Sequence, residues 1–223
     1  MIREIIRHEG DRSLNALLFH PQETKELPLL IYLHGAGERG ENLDHLYRHG
    51  LPELIQKGEC FDAIVLAPQC PAPFVWNNVV VRLKTLIDEV VERFDVLPDR
   101  ICLTGSSMGG FGTWEMGMTY RNFFSAIAPV AGGGLSWRAA NLRTTPVRAY
   151  HGSVDDAVPP IYSRLMVDAV NRGGGHAELT LFEGLGHNPG IDEAYERTDL
   201  IAWLLAQRRT DFTRVPECLE DMF

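Results

Sequence analysis

Ile101-Cys102-Leu103-Thr104-Gly105-Ser106-Ser107-Met108-Gly109-Gly110-Phe111-Gly112-Thr113-Trp114-Glu115-Met116 is the stretch that decides the fold. Four apolar or β-branched residues make a short strand, glycines follow at once, and a helix-compatible run takes over. In a G-x-S-x-G elbow the serine sits on a strained strand-to-helix turn that lifts its hydroxyl clear of the sheet, and the flanking glycines are needed because side chains there would collide with neighbouring backbone. Only Ser107 has glycine at both −2 and +2. Ser106 has Thr104 and Met108 at those places and reads as a residue that fills the turn.

Working outward, short apolar runs alternate with helical patterns. The strand candidates are Leu14 to Phe19, Leu29 to Leu33, Ala63 to Ala67, Ile101 to Thr104, Ala126 to Val130, Val147 to Tyr150 and Glu178 to Phe182. The clearest helix runs from Val79 to Phe94, where Val79, Leu83, Leu86, Ile87, Val90 and Val91 recur at intervals of three and four and Leu97-Pro98 ends the pattern. Asp156 to Val170 and Asp192 to Ala206 are similar. This alternation predicts an α/β fold, a mostly parallel central sheet with helices on both faces. No repeat, linker or insertion long enough for a large lid interrupts it, so residues 1–223 are expected to form a single domain. The tail 208–223 mixes Phe212, Val215, Pro216 and Met222 with charges, and can pack on the surface or against a second copy of the chain in a homodimer.

A serine hydroxyl is a weak nucleophile until a histidine takes its proton, and that imidazole needs a carboxylate to fix its tautomer. After an elbow of this kind the partners follow in the order acid, then histidine. The strand ending at Tyr150 runs into His151-Gly152-Ser153-Val154-Asp155-Asp156, and the strand ending at Phe182 into Glu183-Gly184-Leu185-Gly186-His187-Asn188. Both loops fall at the carboxyl edge of the sheet, where α/β proteins place their ligands. His187 is therefore the expected base; His151, at a strand end, and His176, in a glycine-rich loop, lack that context. Asp155 is the expected orienter, because Asp156 has another use as the cap of a helix starting near Pro159.

An oxyanion needs backbone N–H donors, one from the residue after the nucleophile and one from a loop after an earlier strand. Met108 supplies the first. His34-Gly35-Ala36-Gly37, directly after Leu33, is expected to supply the second from Ala36, with His34 hydrogen-bonding inside the loop. Gly35 to Gly40 also spells G-x-G-x-x-G after a strand, the rival reading of a nucleotide-binding loop, but the next strand ends in Pro68-Gln69-Cys70 where a dinucleotide site wants an acidic residue. His45 and His49 are four apart but lack the glutamate of a zinc protease and a third ligand.

A formal charge of −9 argues against nucleic-acid binding, which depends on Lys and Arg displacing counterions. The start of the chain is charged where a signal peptide would be apolar, and no run approaches membrane-spanning length, so a cytoplasmic protein is expected. Cys60, Cys70, Cys102 and Cys218 show no metal spacing, and disulfides are not expected.

With these residues assembled, the chain resembles the phospholipase/carboxylesterase and dienelactone-hydrolase branch of the α/β-hydrolase superfamily, especially its predicted peptidase-like esterases. The resemblance covers most of the chain and rests on Leu33 to Gly40, on Ala67-Pro68-Gln69-Cys70-Pro71 leading to Trp76, on the elbow continuing to Trp114, on Ala128 to Gly133, on His151-Gly152-x-x-Asp155 and on Gly186-His187-Asn188. It implies the α/β-hydrolase fold without a large lid, the acid at Asp155, and an enzyme free of cofactor and metal. The implied activity is hydrolysis of small or short-acyl carboxylic esters through an acyl-enzyme, with a thioesterase or peptidase-like hydrolase as the alternative. Dienelactone hydrolases carry a cysteine nucleophile where this chain has Ser107, which weighs against enol-lactone hydrolysis. Trp76 and Gln69 are candidates to line the substrate pocket, although Trp76 fits a core position equally well.

Overall fold

The apolar runs lie side by side in one eight-stranded sheet of the computed structural model, which describes residues 1–8, 10 and 13–213. The strands are β1 (Ile2–Ile6), β2 (Ala16–His20), β3 (Leu29–Leu33), β4 (Ile64–Pro68), β5 (Ile101–Ser106), β6 (Ala126–Val130), β7 (Val147–Gly152) and β8 (Ala177–Phe182), in the order β1-β2-β4-β3-β5-β6-β7-β8. From β4 to β8 all pairings are parallel, and β1 and β2 close one edge antiparallel. Every residue of β2 to β6 is buried, as expected of strands covered on both faces.

Among the described residues six α-helices supply that cover: α1 (Gly50–Gln56), α2 (Val80–Arg93), α3 (Met108–Thr119), α4 (Ile161–Arg172), α5 (His187–Arg197) and α6 (Leu200–Ala206). The alternating strand side chains divide between two cores. Leu29, Ile31, Leu33, Ile101 and Leu103 pack with Leu83 and Leu86 of α2, Trp114 of α3 and Met166 of α4. Leu30, Tyr32, Cys102, Ala126 and Ala128 pack with Leu51 of α1, Ile191 of α5 and Leu204 of α6 on the other side. Among the described residues no helix is long and apolar enough to cross a membrane.

Three sequence expectations change. The N-terminal strand β1 is missing from the strand candidates; its side chains are partly buried to exposed, only Ile6 packs against the core, and polar contacts add to its pairing with β2, with Glu4 bridging Arg93 at 2.5 Å and His20 at 3.0 Å. Helix α4 begins at Ile161 rather than Asp156, because Val158 and Pro159 each precede a proline and are excluded from helical geometry. The single helix expected over Asp192 to Ala206 is two. The first starts earlier, at His187, and the chain breaks at Thr198, which is extended and whose Oγ1 accepts the Leu200 N–H at 3.1 Å.

The strand order places a reversal between β3 and β5. From β3 the chain moves outward to β4, then returns past β3 to lay β5 on its other side, with Leu33 in register with Gly105. Loops leaving two such strands diverge to opposite faces and open a crevice at the carboxyl edge. The connection from β6 to β7, residues 131–146, holds one 3₁₀-helix (Ser136–Leu142) clamped onto α3 by the buried Arg138–Glu115 ion pair at 2.5 Å.

Candidate active site

Ser107 stands at the reversal. Its φ of 56° and ψ of −119° lie where side chains are rarely tolerated, and the turn is fixed on both sides: the Ser107 N–H donates to Val130 O at 2.9 Å and its carbonyl accepts the Phe111 N–H at 3.1 Å. The flanking glycines are demanded by close approach. A Cβ at Gly105 would lie 2.7 Å from Leu33 O, and one at Gly109 only 1.9 Å from it. Ser106 is buried at the end of β5, its Oγ 3.2 Å from the Tyr32 hydroxyl, the filling role expected of it.

His187 and Asp155 converge on this hydroxyl. His187, at the start of α5, puts Nε2 2.9 Å from Ser107 Oγ and Nδ1 2.6 Å from Asp155 Oδ2. The other carboxylate oxygen, Oδ1, accepts the N–H groups of Ala157 at 3.0 Å and Val158 at 2.8 Å, so the carboxylate is locked with Oδ2 turned to the imidazole. The two loops are stitched together by Val154 N–H to Leu185 O at 3.1 Å and Gly184 N–H to Ser153 Oγ at 2.9 Å. Asp156 does not serve as the expected cap. It is exposed, α4 starts only at Ile161 without a side-chain cap, and Asp155 instead accepts the N–H groups of the loop residues Ala157 and Val158. With Nδ1–H donating to the carboxylate, the lone pair on Nε2 is free to accept the serine proton.

The glycine loop after β3 borders the same hydroxyl. A Cβ at Gly35 would stand 3.7 Å from Ser107 Cβ. Exposed Ala36 opens a 3₁₀-helix (Ala36–Glu38), and Met108 opens α3; N–H groups at such first positions have no acceptor within the helix. His34 shapes the loop as expected: Nδ1 lies 2.6 Å from Gly35 O and Nε2 accepts the Cys70 N–H at 2.9 Å. The neutral ring satisfies both contacts, and burial pushes its pKa down to about 4. Trp76 and Gln69 are not pocket walls. Each is 1% exposed, Trp76 donating its indole N–H to His34 O at 2.9 Å and Gln69 its amide to Glu38 O and Asn42 O at 2.8 Å. They brace the loop from behind. The G-x-G-x-x-G sequence contains a 3₁₀-turn of three residues and is followed by a second 3₁₀ segment (Leu43–Arg48), not by the α-helix whose N-terminus would hold a pyrophosphate.

Two features here escaped sequence reasoning. His151, 0% exposed, lies behind the acid: its Nε2 is 2.8 Å from Val158 O and 3.3 Å from Asp155 Oδ2, and its Nδ1 is 2.7 Å from Ser163 Oγ, which also contacts Gly132 O at 2.8 Å. Its strand-end position pointed only to burial. The second is an aromatic pair, Phe111 and Tyr162, edge-on at 5.8 Å against Gly133, with Tyr162 45% exposed. Phe111 is one helical turn beyond Ser107. A separate cleft of about 570 Å³ between Met1, Arg3, Tyr47 and Arg48 shares no residue with this cluster.

Fold and site together define the class: this is an α/β-hydrolase fold with a serine, a histidine and an aspartate joined at its carboxyl edge. No protein-family model matches the chain, and no curated protein matches it in sequence. Among solved structures it is similar to a thermostable esterase (25% identity, TM-score 0.79), covering 93% of this chain and 63% of that one. It is similar also to the feruloyl esterase module from Clostridium thermocellum, complexed with sinapinate (15% identity, TM-score 0.71, 96% of this chain and 90% of that one), and to the acylaminoacyl peptidase of Pyrococcus horikoshii (14% identity, TM-score 0.69, 96% and 43%). The chain thus spans under two thirds of the esterase and under half of the peptidase. These neighbours agree with the branch that the sequence resembles, and at such identities the two more distant ones speak for the fold alone.

Proposed function

We propose that the protein is a serine carboxylic-ester hydrolase of the EC 3.1.1 type, acting on small or short-acyl esters through an acyl-enzyme. The observation that carries this reading is the continuous chain from Ser107 Oγ to His187 at 2.9 Å and from His187 to buried Asp155 at 2.6 Å. Ser107 attacks the ester carbonyl while His187 Nε2 takes its proton, and Asp155 stabilises the imidazolium. The N–H groups of Met108 and Ala36 receive the oxyanion. Collapse of the tetrahedral intermediate breaks the C–O bond, and His187 returns the proton to the departing alcohol. A water molecule, deprotonated by the same imidazole, then cleaves the acyl-enzyme and restores Ser107. The esterase neighbours support an ester substrate, and the pinning of the connection after β6 to α3 supports open access for small acyl groups.

Ser107→Ala is expected to lower the turnover of p-nitrophenyl acetate and butyrate by about four orders of magnitude or more while the thermal unfolding curve stays in place. Turnover equal to that of the unaltered protein would remove the mechanism.

A further inference from the structure

The buried imidazole of His151 has no part in the mechanism above, yet it touches the acid. We propose that His151 is a positioning residue for this reaction, a second buried imidazole set against Asp155 Oδ2 that helps to keep this oxygen turned to His187. The inference rests on the catalytic reading of Ser107, His187 and Asp155.

The proton inventory carries it. His151 Nε2 faces two acceptors, Val158 O at 2.8 Å and Asp155 Oδ2 at 3.3 Å. A ring nitrogen set between two acceptors must carry a proton, so Nε2–H donates to Val158 O and lays its positive edge beside Asp155 Oδ2 at 3.3 Å. On the other side of the ring Ser163 Oγ lies between Nδ1 at 2.7 Å and Gly132 O at 2.8 Å, and it has one proton to give. In the neutral ring, the form that burial favours, Nδ1 takes the single Ser163 proton and Gly132 O goes without it. Were the ring charged, Nδ1–H would donate to Ser163 and the hydroxyl would turn to Gly132 O. Either way Nε2–H stays on Val158 O, beside Asp155 Oδ2. The same clasp closes the loop: the Val158 N–H donates to Asp155 Oδ1 and its carbonyl accepts from His151, so both backbone polar groups of that residue tie the carboxylate and the imidazole together.

Core packing alone does not ask for this. A leucine would fill the volume, and a buried imidazole is tolerated only because both nitrogens are engaged. What the imidazole adds is a fixed, positively polarised N–H edge beside the acid. Two backbone N–H groups hold Oδ1; His151 and His187 both lie against Oδ2.

Three variants test the idea with p-nitrophenyl acetate kinetics, fluorophosphonate labelling and the downfield proton NMR signal of the His187 Nδ1–H, assigned by its absence in His187→Gln. His151→Leu and His151→Asn, which lack a donor at the Nε2 position, are expected to lose about ten- to a hundredfold in kcat and labelling rate with KM within about twofold, and to lose or broaden that signal. His151→Gln, whose amide nitrogen falls near Nε2, is expected to restore most of the rate and the signal. If Leu does not fold, the comparison of Gln with Asn still decides. Folded variants that keep the unaltered kcat and signal, or Gln and Asn variants impaired equally with the signal unmoved, would overturn the positioning role. Failure of the unaltered protein to label or turn over would instead overturn the catalytic reading beneath it.

Discussion

Ser107 holds a backbone conformation that costs on the order of 1–3 kcal/mol, and its neighbours are chosen so that the turn can afford it. Gly109 is the strictest of these choices, since any side chain there would overlap Leu33 O, the carbonyl that also borders the glycine loop. Gly109→Ala is expected to lower stability by about 3 kcal/mol, read as a shift of the urea midpoint, because backbone and not a flexible side chain must move. An unshifted midpoint would show that the elbow relaxes freely. This residue-scale geometry was legible in the sequence because the clash is local: glycines at −2 and +2 of a serine after a strand already state it. The role of His151 was not legible, because its partners Val158, Asp155 and Ser163 assemble only when β7, its loop and α4 fold together.

Among the elements, those with a strong internal pattern were read well and those decided by their surroundings were not. Helix α2 follows from Leu83, Leu86, Ile87 and Val90 lying on one face. The β1 strand depended on partners distant in sequence, and the break between α5 and α6 on the hydroxyl of Thr198, which sequence periodicity does not weigh. The clamp between the 3₁₀-helix at Ser136–Leu142 and α3 belongs to the same scale. Arg138 reaches Glu115 at 2.5 Å and Thr119 Oγ1 at 3.0 Å with both charged groups largely out of water. Glu115→Ala leaves a buried guanidinium without its partner and is expected to cost about 3 kcal/mol in denaturant unfolding. A loss of only a few tenths would mean the pair acts as a surface bridge.

Over the whole molecule, the sequence announced the layers but not their order, since nothing in an apolar run says that β4 lies outside β3 and β5 inside it. The tail reading is only partly placed: Arg208 meets Asp99 at 2.7 Å, and residues 214–223 lie outside the described residues. Folding also carries a global response to acid. Burial lowers the pKa of His34 from an ordinary 6.5 to about 4 and that of His151 in the same direction. The unfolded chain therefore takes up protons first as pH falls. Stability should be insensitive to these groups above pH 6.5 and decline from there toward pH 4, with His34 alone contributing about 3 kcal/mol. Urea midpoints measured across that interval check this, and a flat profile would contradict it. The clamped connection after β6 has a further consequence in the way the protein would meet its substrate. A site roofed by a hinged flap wakes at an oil–water boundary, whereas here residues 131–146 are pinned to the scaffold. Hydrolysis of tributyrin should then rise and saturate with the dissolved ester and show no jump when droplets form. An emulsion-triggered burst would mean that this segment lifts.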